Sequence, residues 1–300
     1  MRGLYTAIVT PFLSDEKIDI EGFRSNIQYQ ISEGVDGIVV LGTTGESPTL
    51  NHAEREILIR AAVQETRGQI KVLVGTGSYA TKQTIESTIE AEELGADGAL
   101  IVTPYYNKPT QEGLYRHFKA VSEASKLPII IYNIQGRTGQ NLQTSTLQRL
   151  MDIPSIVSVK ESSGSVNQIM DVIDCAAKHR PDFTVLSGDD ILTFALMALG
   201  GHGIVSVVSN LIPGEIRELV SALQNSDYVR ARQIHYRWLP LFKGAFIETN
   251  PIPIKAAMNL CGFPAGTCRL PLCELLPENA KTLECLLEEL QIKSVSTLRG

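Results

Sequence analysis

No apolar run in this chain approaches about 18 residues, so nothing in it reads as a membrane-spanning helix. Positive charge is also short: 27 Lys and Arg stand against 33 Asp and Glu, a formal net charge of −6. Without a basic stripe, nucleic acid and anionic membrane surfaces are not expected partners. Cysteine is scarce and odd in number: Cys175, Cys261, Cys268, Cys273 and Cys285 form no CxxC pair and have no neighbouring histidines. A disulfide frame and a zinc site are both disfavoured, and reduced thiols in a cytoplasmic protein are expected. The opening MRGLYTAIVTPF holds too short an apolar run for a signal peptide. There are no low-complexity segments and no ligand set at metal spacing, so neither a metal nor a cofactor is expected. What remains is 300 residues, 43% hydrophobic and 20% charged, enough for one large domain or two ordinary ones with a sizeable core.

Short apolar runs recur along the chain, each followed by a longer amphipathic stretch. They are Tyr5–Val9, Gly37–Leu41, Lys71–Val74, Gly98–Val102, Pro128–Tyr132, Ile156–Lys160, Thr184–Ser187 and Gly203–Val207. This is the spacing of βα units. Between them, Asn51–Glu54 reads as a capping box, followed by Ile57, Leu58, Ala61 and Ala62 at helical spacing; Ser165–Gln168 reads as another box. Eight such units predict a parallel sheet closed as a (β/α)8 TIM barrel. An open doubly wound sheet is the runner-up, but the G-x-G-x-x-G turn it normally carries after its first strand is missing. The barrel is expected over residues 1–224. Helical stretches at Asp227–Leu241, Pro253–Leu260 and Pro277–Leu290 then predict a C-terminal helical extension over 225–300.

Active sites of such barrels sit at the carboxyl ends of the strands. Period-2 alternation puts Ile156, Ser158 and Lys160 on one face of the sixth strand, with Lys160 last, ahead of the small polar turn Ser162-Ser163-Gly164. A lysine on apolar walls loses its proton near neutrality and attacks carbonyls; by itself, though, it reads more readily as a surface residue ending a strand. Gly42-Thr43-Thr44-Gly45-Glu46-Ser47 after strand two offers a backbone nest for a small carboxylate, or else only a tight turn with an N-cap. Arg137, on a glycine-flanked turn after strand five, suits bidentate binding of a carboxylate, or pairs with a structural acid. Asp189-Asp190 lacks a third ligand and reads as an N-cap, and His202 reads as structural.

Taken together, GTTGES, VTPYYNKP, the Tyr132-Asn133…Arg137-Thr138-Gly139 stretch, VKESSG and GGHGIVSV resemble the dihydrodipicolinate synthase and N-acetylneuraminate lyase family of class I aldolases, its first branch more than its second. The likeness runs from Thr10-Pro11-Phe12 to Asn250-Pro251-Ile252-Pro253-Ile254-Lys255. It implies condensation of pyruvate with L-aspartate 4-semialdehyde in lysine and diaminopimelate biosynthesis. It also implies Lys160 as Schiff-base lysine, Tyr132 as general acid/base, and Thr43 and Tyr106 as the rest of a hydroxyl relay, Tyr106 coming from a dimer partner. Thr44 and Val205 then match the pyruvate-carboxylate site, and Arg137 the residue that receives the second substrate's carboxylate. A dimer of dimers is implied, as is a lysine-effector cleft at Ser47, Pro48, His52, Arg55, Tyr79, Gln83 and Tyr105. In that cleft Tyr79 and Gln83 replace the usual asparagine and acid, which predicts weak lysine inhibition. One further departure is Ile134-Gln135 where the family usually has Val-Pro, removing a fixed φ ahead of Arg137. Two other readings compete: a sialic acid or keto-deoxy-sugar lyase, and a non-catalytic pyruvate-binding barrel.

Overall fold

The computed structural model describes residues 1–292. Eight parallel strands close into a barrel in chain order: β1 (Gly3–Ala7), β2 (Gly37–Val40), β3 (Lys71–Gly75), β4 (Gly98–Val102), β5 (Ile129–Asn133), β6 (Ile156–Glu161), β7 (Thr184–Ser187) and β8 (Gly203–Ser206). The helices around it are α1 (Ile20–Ser32), α2 (His52–Thr66), α3 (Thr81–Glu93), α4 (Gln111–Ala124), the single turn α5 (Gln135–Thr138), α6 (Thr144–Met151), α7 (Val166–His179), α8 (Thr193–Ala198) and α9 (Pro213–Gln224). Helices α10 (Tyr228–Gly244), α11 (Ile252–Leu260) and α12 (Pro277–Glu289) follow, as the extension was expected to; residues 293–300 lie outside the described residues. Strands buried on both faces read as near-continuous apolar runs, which is why periodicity found them.

Two cores result. The larger lies between barrel and helices and runs on without a break into Trp238, Leu241 and Phe242 of α10 and Ile254 and Met258 of α11. The smaller fills the barrel with Tyr5, Ala7, Val39, Leu73, Leu100, Ile130, Tyr132, Leu186 and Val205. Phe242 is fully buried, and cutting it to alanine costs about 3–5 kcal/mol by loss of contacts and cavity formation.

Three local expectations are corrected. The first strand lies two residues earlier than Tyr5–Val9, because its partners end there: β8 pairs only as far as Thr6↔Ser206, and β2 only as far as Ala7↔Val39. Val9 instead donates its N–H to Asn210 Oδ1 at 3.1 Å. The second box is only half formed. Ser165 caps α7 through the N–H of Gln168, but the Gln168 side chain turns to Asn141, Leu142 and Glu161. The third correction bears on function. Ile129 pairs with Ile156, but Ile130 pairs with Ser158, so Val157 is an extra residue, a β-bulge. Ile156 therefore packs in the outer core alongside Val159 and not inward with Ser158 and Lys160. Strict alternation holds only beyond the bulge.

Candidate active site

From Ser158 onward β6 is in register with β5 and β7, and Lys160 stands between Tyr132 and Leu186. Its floor is the apolar barrel interior, so the ammonium form is poorly solvated. Burial pushes the Lys160 pKa from 10.5 down to about 7; the charge of Asp190 opposes this and that of Arg137 reinforces it. Lys160 Nζ lies 3.9 Å from the centroid of the Tyr132 ring. Room for the lysine depends on Gly188: a Cβ there would sit 2.7 Å from Lys160 Cε and 1.8 Å from Ser162 Oγ. Any side chain at 188 displaces the lysine or the turn behind it.

Glu161 points the other way and holds that turn. Its Oε1 accepts from the N–H of Ser163 at 2.6 Å, and its Oε2 from Asn133 Nδ2 and Gln168 Nε2. Tyr132 is also buried. Desolvation lifts its phenol to about 12, against the charge of Arg137 and the hydroxyls of Ser162 and Thr43. The structure thus brings Tyr132, Thr43 and Lys160 to one cavity of about 90 Å³, with Thr44 and Arg137 in its wall. Ser162 was missed in the sequence, where it read only as part of a small polar turn. Its Oγ is buried close to the Tyr132 phenol, and makes no hydrogen bond of regular geometry among the described residues.

The Gly42–Ser47 turn closes on itself, with Gly45 N–H donating to Gly42 O and Glu46 N–H to Thr43 O. The cap of α2 is Asn51, outside this turn, with a complete capping box to Glu54, so capping does not explain the turn. Thr44 Oγ1 accepts from Asn250 Nδ2 at 3.0 Å. Asn250 was read only as part of a motif, yet its carbonyl also accepts Arg137 Nη2 at 3.1 Å and its own Oδ1 is buried and has no partner among the described residues. Arg137 has no carboxylate within 4 Å among the described residues, so its charge is free toward the cavity. The turn carrying it is closed without the proline: the N–H groups of Arg137 and Thr138 and the Thr138 hydroxyl all donate to Ile134 O.

Val205 is not in the cavity wall. It lies deeper, beside Tyr5, and Val207 lines the cavity instead. Asp189 and Asp190 do not cap α8, whose N-cap is Leu192 without a side-chain bond. Asp189 Oδ1 accepts the N–H of Ile191, and Asp190 accepts Ser206 Oγ at 2.5 Å and the N–H of Val207 at 3.0 Å. The end of β8 and the residues just after it thus claim Asp190, while Asp189 is used within its own loop. Burial raises Asp190 to about 6, against those hydrogen bonds. His202 is structural, its Nδ1 accepting the N–H of Val185.

With this geometry in place, comparison with known proteins separates the aldolase branches. A model of the dihydrodipicolinate synthetase family matches residues 1–290. The chain belongs to that family. It is 55% identical to the 4-hydroxy-tetrahydrodipicolinate synthase of Protochlamydia amoebophila, covering 99% of each chain. The crystal structure of dihydrodipicolinate synthase from Thermotoga maritima superposes with a TM-score of 0.95 at 43% identity, covering 97% of this chain and 99% of that one. That of Cyanidioschyzon merolae, with lysine bound, superposes at 0.93 and 39% identity, covering 97% and 98%.

Two features matched to the family lie away from the cavity. Tyr106 is 91% exposed at the tip of the β4–α4 loop, in a left-handed conformation (φ 70°), and does not reach the Lys160 of its own chain. The residues matched to an effector site do converge. Ser47, Pro48, His52, Arg55, Tyr79, Gln83 and Tyr105 line one open cleft of about 990 Å³. There Tyr79 and Tyr105 meet edge to face, and Arg55 donates to the carbonyls of Ser47 and Gly75. Gln83 accepts from Ser78 Oγ at 2.7 Å. Sequence reasoning missed four carboxylates in the same cleft, Glu56, Glu86, Glu90 and Glu93, because they are brought in by helix faces and not by motifs. Glu56 pairs with Arg60 and Glu86 with Lys82, Glu90 faces the His52 ring at 3.4 Å, and Glu93 has no ion-pair partner among the described residues.

Proposed function

We propose that this protein is a lyase that joins pyruvate to L-aspartate 4-semialdehyde, the 4-hydroxy-tetrahydrodipicolinate synthase reaction of lysine and diaminopimelate biosynthesis. The observation that carries the reading is a buried lysine poised near neutrality, stacked on a protonated phenol, inside a cavity walled by a carboxylate nest and an unpaired arginine. Lys160 Nζ attacks the pyruvate carbonyl carbon and water leaves, giving an iminium. The iminium withdraws electrons so that a methyl proton is lost, and the resulting enamine carbon bonds to the aldehyde carbon. Tyr132, held near 12, is a proton donor across the working range, and its neighbour Thr43 extends the path a proton takes. The Gly42–Ser47 turn receives the pyruvate carboxylate, and Arg137 the carboxylate of the aldehyde.

A free Arg137 beside the Thr43-Thr44 pair favours an amino-acid aldehyde over a polyol, which sets the sugar-lyase reading second. Exposure of Tyr106 supports its donation to a neighbouring subunit, and with it a dimer, two of which form the tetramer. Residues 1–224 serve as the catalytic barrel, and the extension that begins at 225 completes its wall through Asn250 and Lys255. Five free thiols and no membrane-crossing helix among the described residues suit action in the cytoplasm. The effector cleft supports weak response to lysine, since Gln83 is neutral where the family usually has an acid, and Glu56 and Glu86 already pair with Arg60 and Lys82.

A panel of aldehydes offered with pyruvate tests the reading. L-Aspartate 4-semialdehyde should turn over with kcat/KM at least ~10²-fold above sugar aldehydes, the discrimination expected of a site built to pair a charged group. Preference for a sugar aldehyde would install the sugar-lyase reading. Borohydride trapping of pyruvate without turnover of any aldehyde would install the non-catalytic one.

A further inference from the structure

A second lysine is buried near the site without taking part in the chemistry. The side chains of Lys255, on α11, and Glu46, on the turn after β2, are 2% and 0% exposed and meet at 2.7 Å. All three Lys255 protons are used: it donates to Glu46 Oε1, to Thr10 O at 3.0 Å and to Thr267 O at 2.6 Å. Full use of three donors marks an ammonium, and an ammonium is not a nucleophile. The other carboxylate oxygen, Glu46 Oε2, accepts the N–H of Arg269 at 3.0 Å. The turn itself is in an unfavourable conformation, Glu46 being left-handed at φ 53°, a state that non-glycine residues hold only when their surroundings impose it.

A buried ion pair is a poor source of stability, because desolvation cancels most of its attraction; apolar residues of the same volume do as well or better. Its place in the fold suggests a different role. Segment Asn250–Lys255 touches the catalytic wall three times: the Asn250 side chain holds Thr44, its carbonyl holds Arg137, and Lys255 holds Glu46. Thr10 binds the same turn from the barrel side, its hydroxyl donating to Gly45 O while its carbonyl accepts Lys255. Arg269 closes the far edge on Thr49 O and Glu54.

We propose that the Glu46–Lys255 pair is a positioning device that pins the Gly42–Ser47 turn in the shape that receives the pyruvate carboxylate, making the C-terminal extension a working part of the pyruvate site. The pair touches no substrate and acts only through the turn. The inference rests on pyruvate being the substrate held by that turn.

The test compares the full chain with Glu46→Gln and with the double variant Glu46→Leu/Lys255→Met. The double variant replaces the pair with apolar groups of similar volume; losing the pair itself costs little, but Thr10 O, Thr267 O and the Arg269 N–H lose their partners, so its Tm should fall while the chain still folds. Its pyruvate KM should nevertheless rise about ten- to a hundredfold, the loss expected when a charged group's hydrogen bonds are misplaced. The aldehyde KM and the rate of borohydride trapping of Lys160 at saturating pyruvate should stay within about threefold, since neither Lys160 nor Arg137 is moved. A folded double variant with unchanged pyruvate KM would overturn the proposal. So would a parallel rise in both KM values, which marks general loosening. Should the double variant fail to fold, Glu46→Gln decides on the same split, because it keeps the side chain's shape while setting an amide donor against Lys255 or the Arg269 N–H. If pyruvate never traps on Lys160 of the parent, the pyruvate reading itself falls; trapping on the parent with no KM change in the variants sinks only the present inference.

Discussion

Acidifying the protein through neutrality titrates the amine on which the chemistry depends, and the structure sets how the rate should respond. Lys160 sits at about 7 instead of 10.5. At pH 7 half of it is neutral; an unperturbed lysine would be neutral in only about one molecule in 3,000, at a factor of ten per pH unit. Burial therefore raises the reactive fraction roughly 10³-fold. The sign follows from the depressed pKa: the neutral form is full above 7 and is lost as pH falls below it. The assay is rapid-quench borohydride trapping at subsaturating pyruvate, with the adduct on Lys160 read by mass. Log rate should be flat above about pH 8, bend near 7 and fall about tenfold by pH 6. Below that, Asp190 adds a second feature. Its carboxyl is held at about 6, so acid removes the charge that opposes the lowering of Lys160. As Asp190 is neutralised, Lys160 gives up its proton more readily, and the acid limb should become shallower than unit slope. In Asp190→Asn the bend should move to lower pH and that shallow region should vanish. A rate still climbing at unit slope through pH 9 would refute the argument, because it would place Lys160 in water.

Other outcomes follow from the same geometry. Tyr132→Phe should keep its stacking on Lys160 and most pyruvate trapping but lose turnover by roughly 10²-fold or more, as expected for a removed acid/base; near-normal turnover would reject the relay role. Mixing Tyr106→Phe with Lys160→Ala subunits, each inactive alone, should restore activity, since mixed dimers regain one complete site. No recovery after subunit exchange, verified by mass, would remove Tyr106 from the chemistry. Lysine should inhibit only above the millimolar range, a missing charge-assisted contact weakening it by about one to two decades. Gln83→Glu should strengthen inhibition more than any other single change in the cleft, and submillimolar inhibition of the unaltered protein would contradict this.

The barrel was legible in the chain because strands buried on both faces must be apolar throughout, so Ile129-Ile130-Ile131 and Gly37-Ile38-Val39-Val40 announce themselves without neighbours. The position of Lys160 at the end of such a run followed from the same rule, as did the small polar turns that mark the catalytic end. What the linear pattern did not contain was register. The bulge at Val157 depends on how β6 pairs with β5, and only that pairing showed that Ile156 faces out while Lys160 faces in. Asn250, Lys255 and Asp190 stayed invisible for a related reason. Each acts on a residue far along the chain, Thr44, Glu46 and Ser206 respectively, and a polar side chain's partner is decided by which loops the closed barrel brings together. Local propensity and burial are properties of short stretches, and the amino-acid order alone determined them. The lowered pKa of Lys160, the free charge of Arg137 and the turn held by Glu46 arise from desolvation and hydrogen bonding across those long separations, which only tertiary structure supplies.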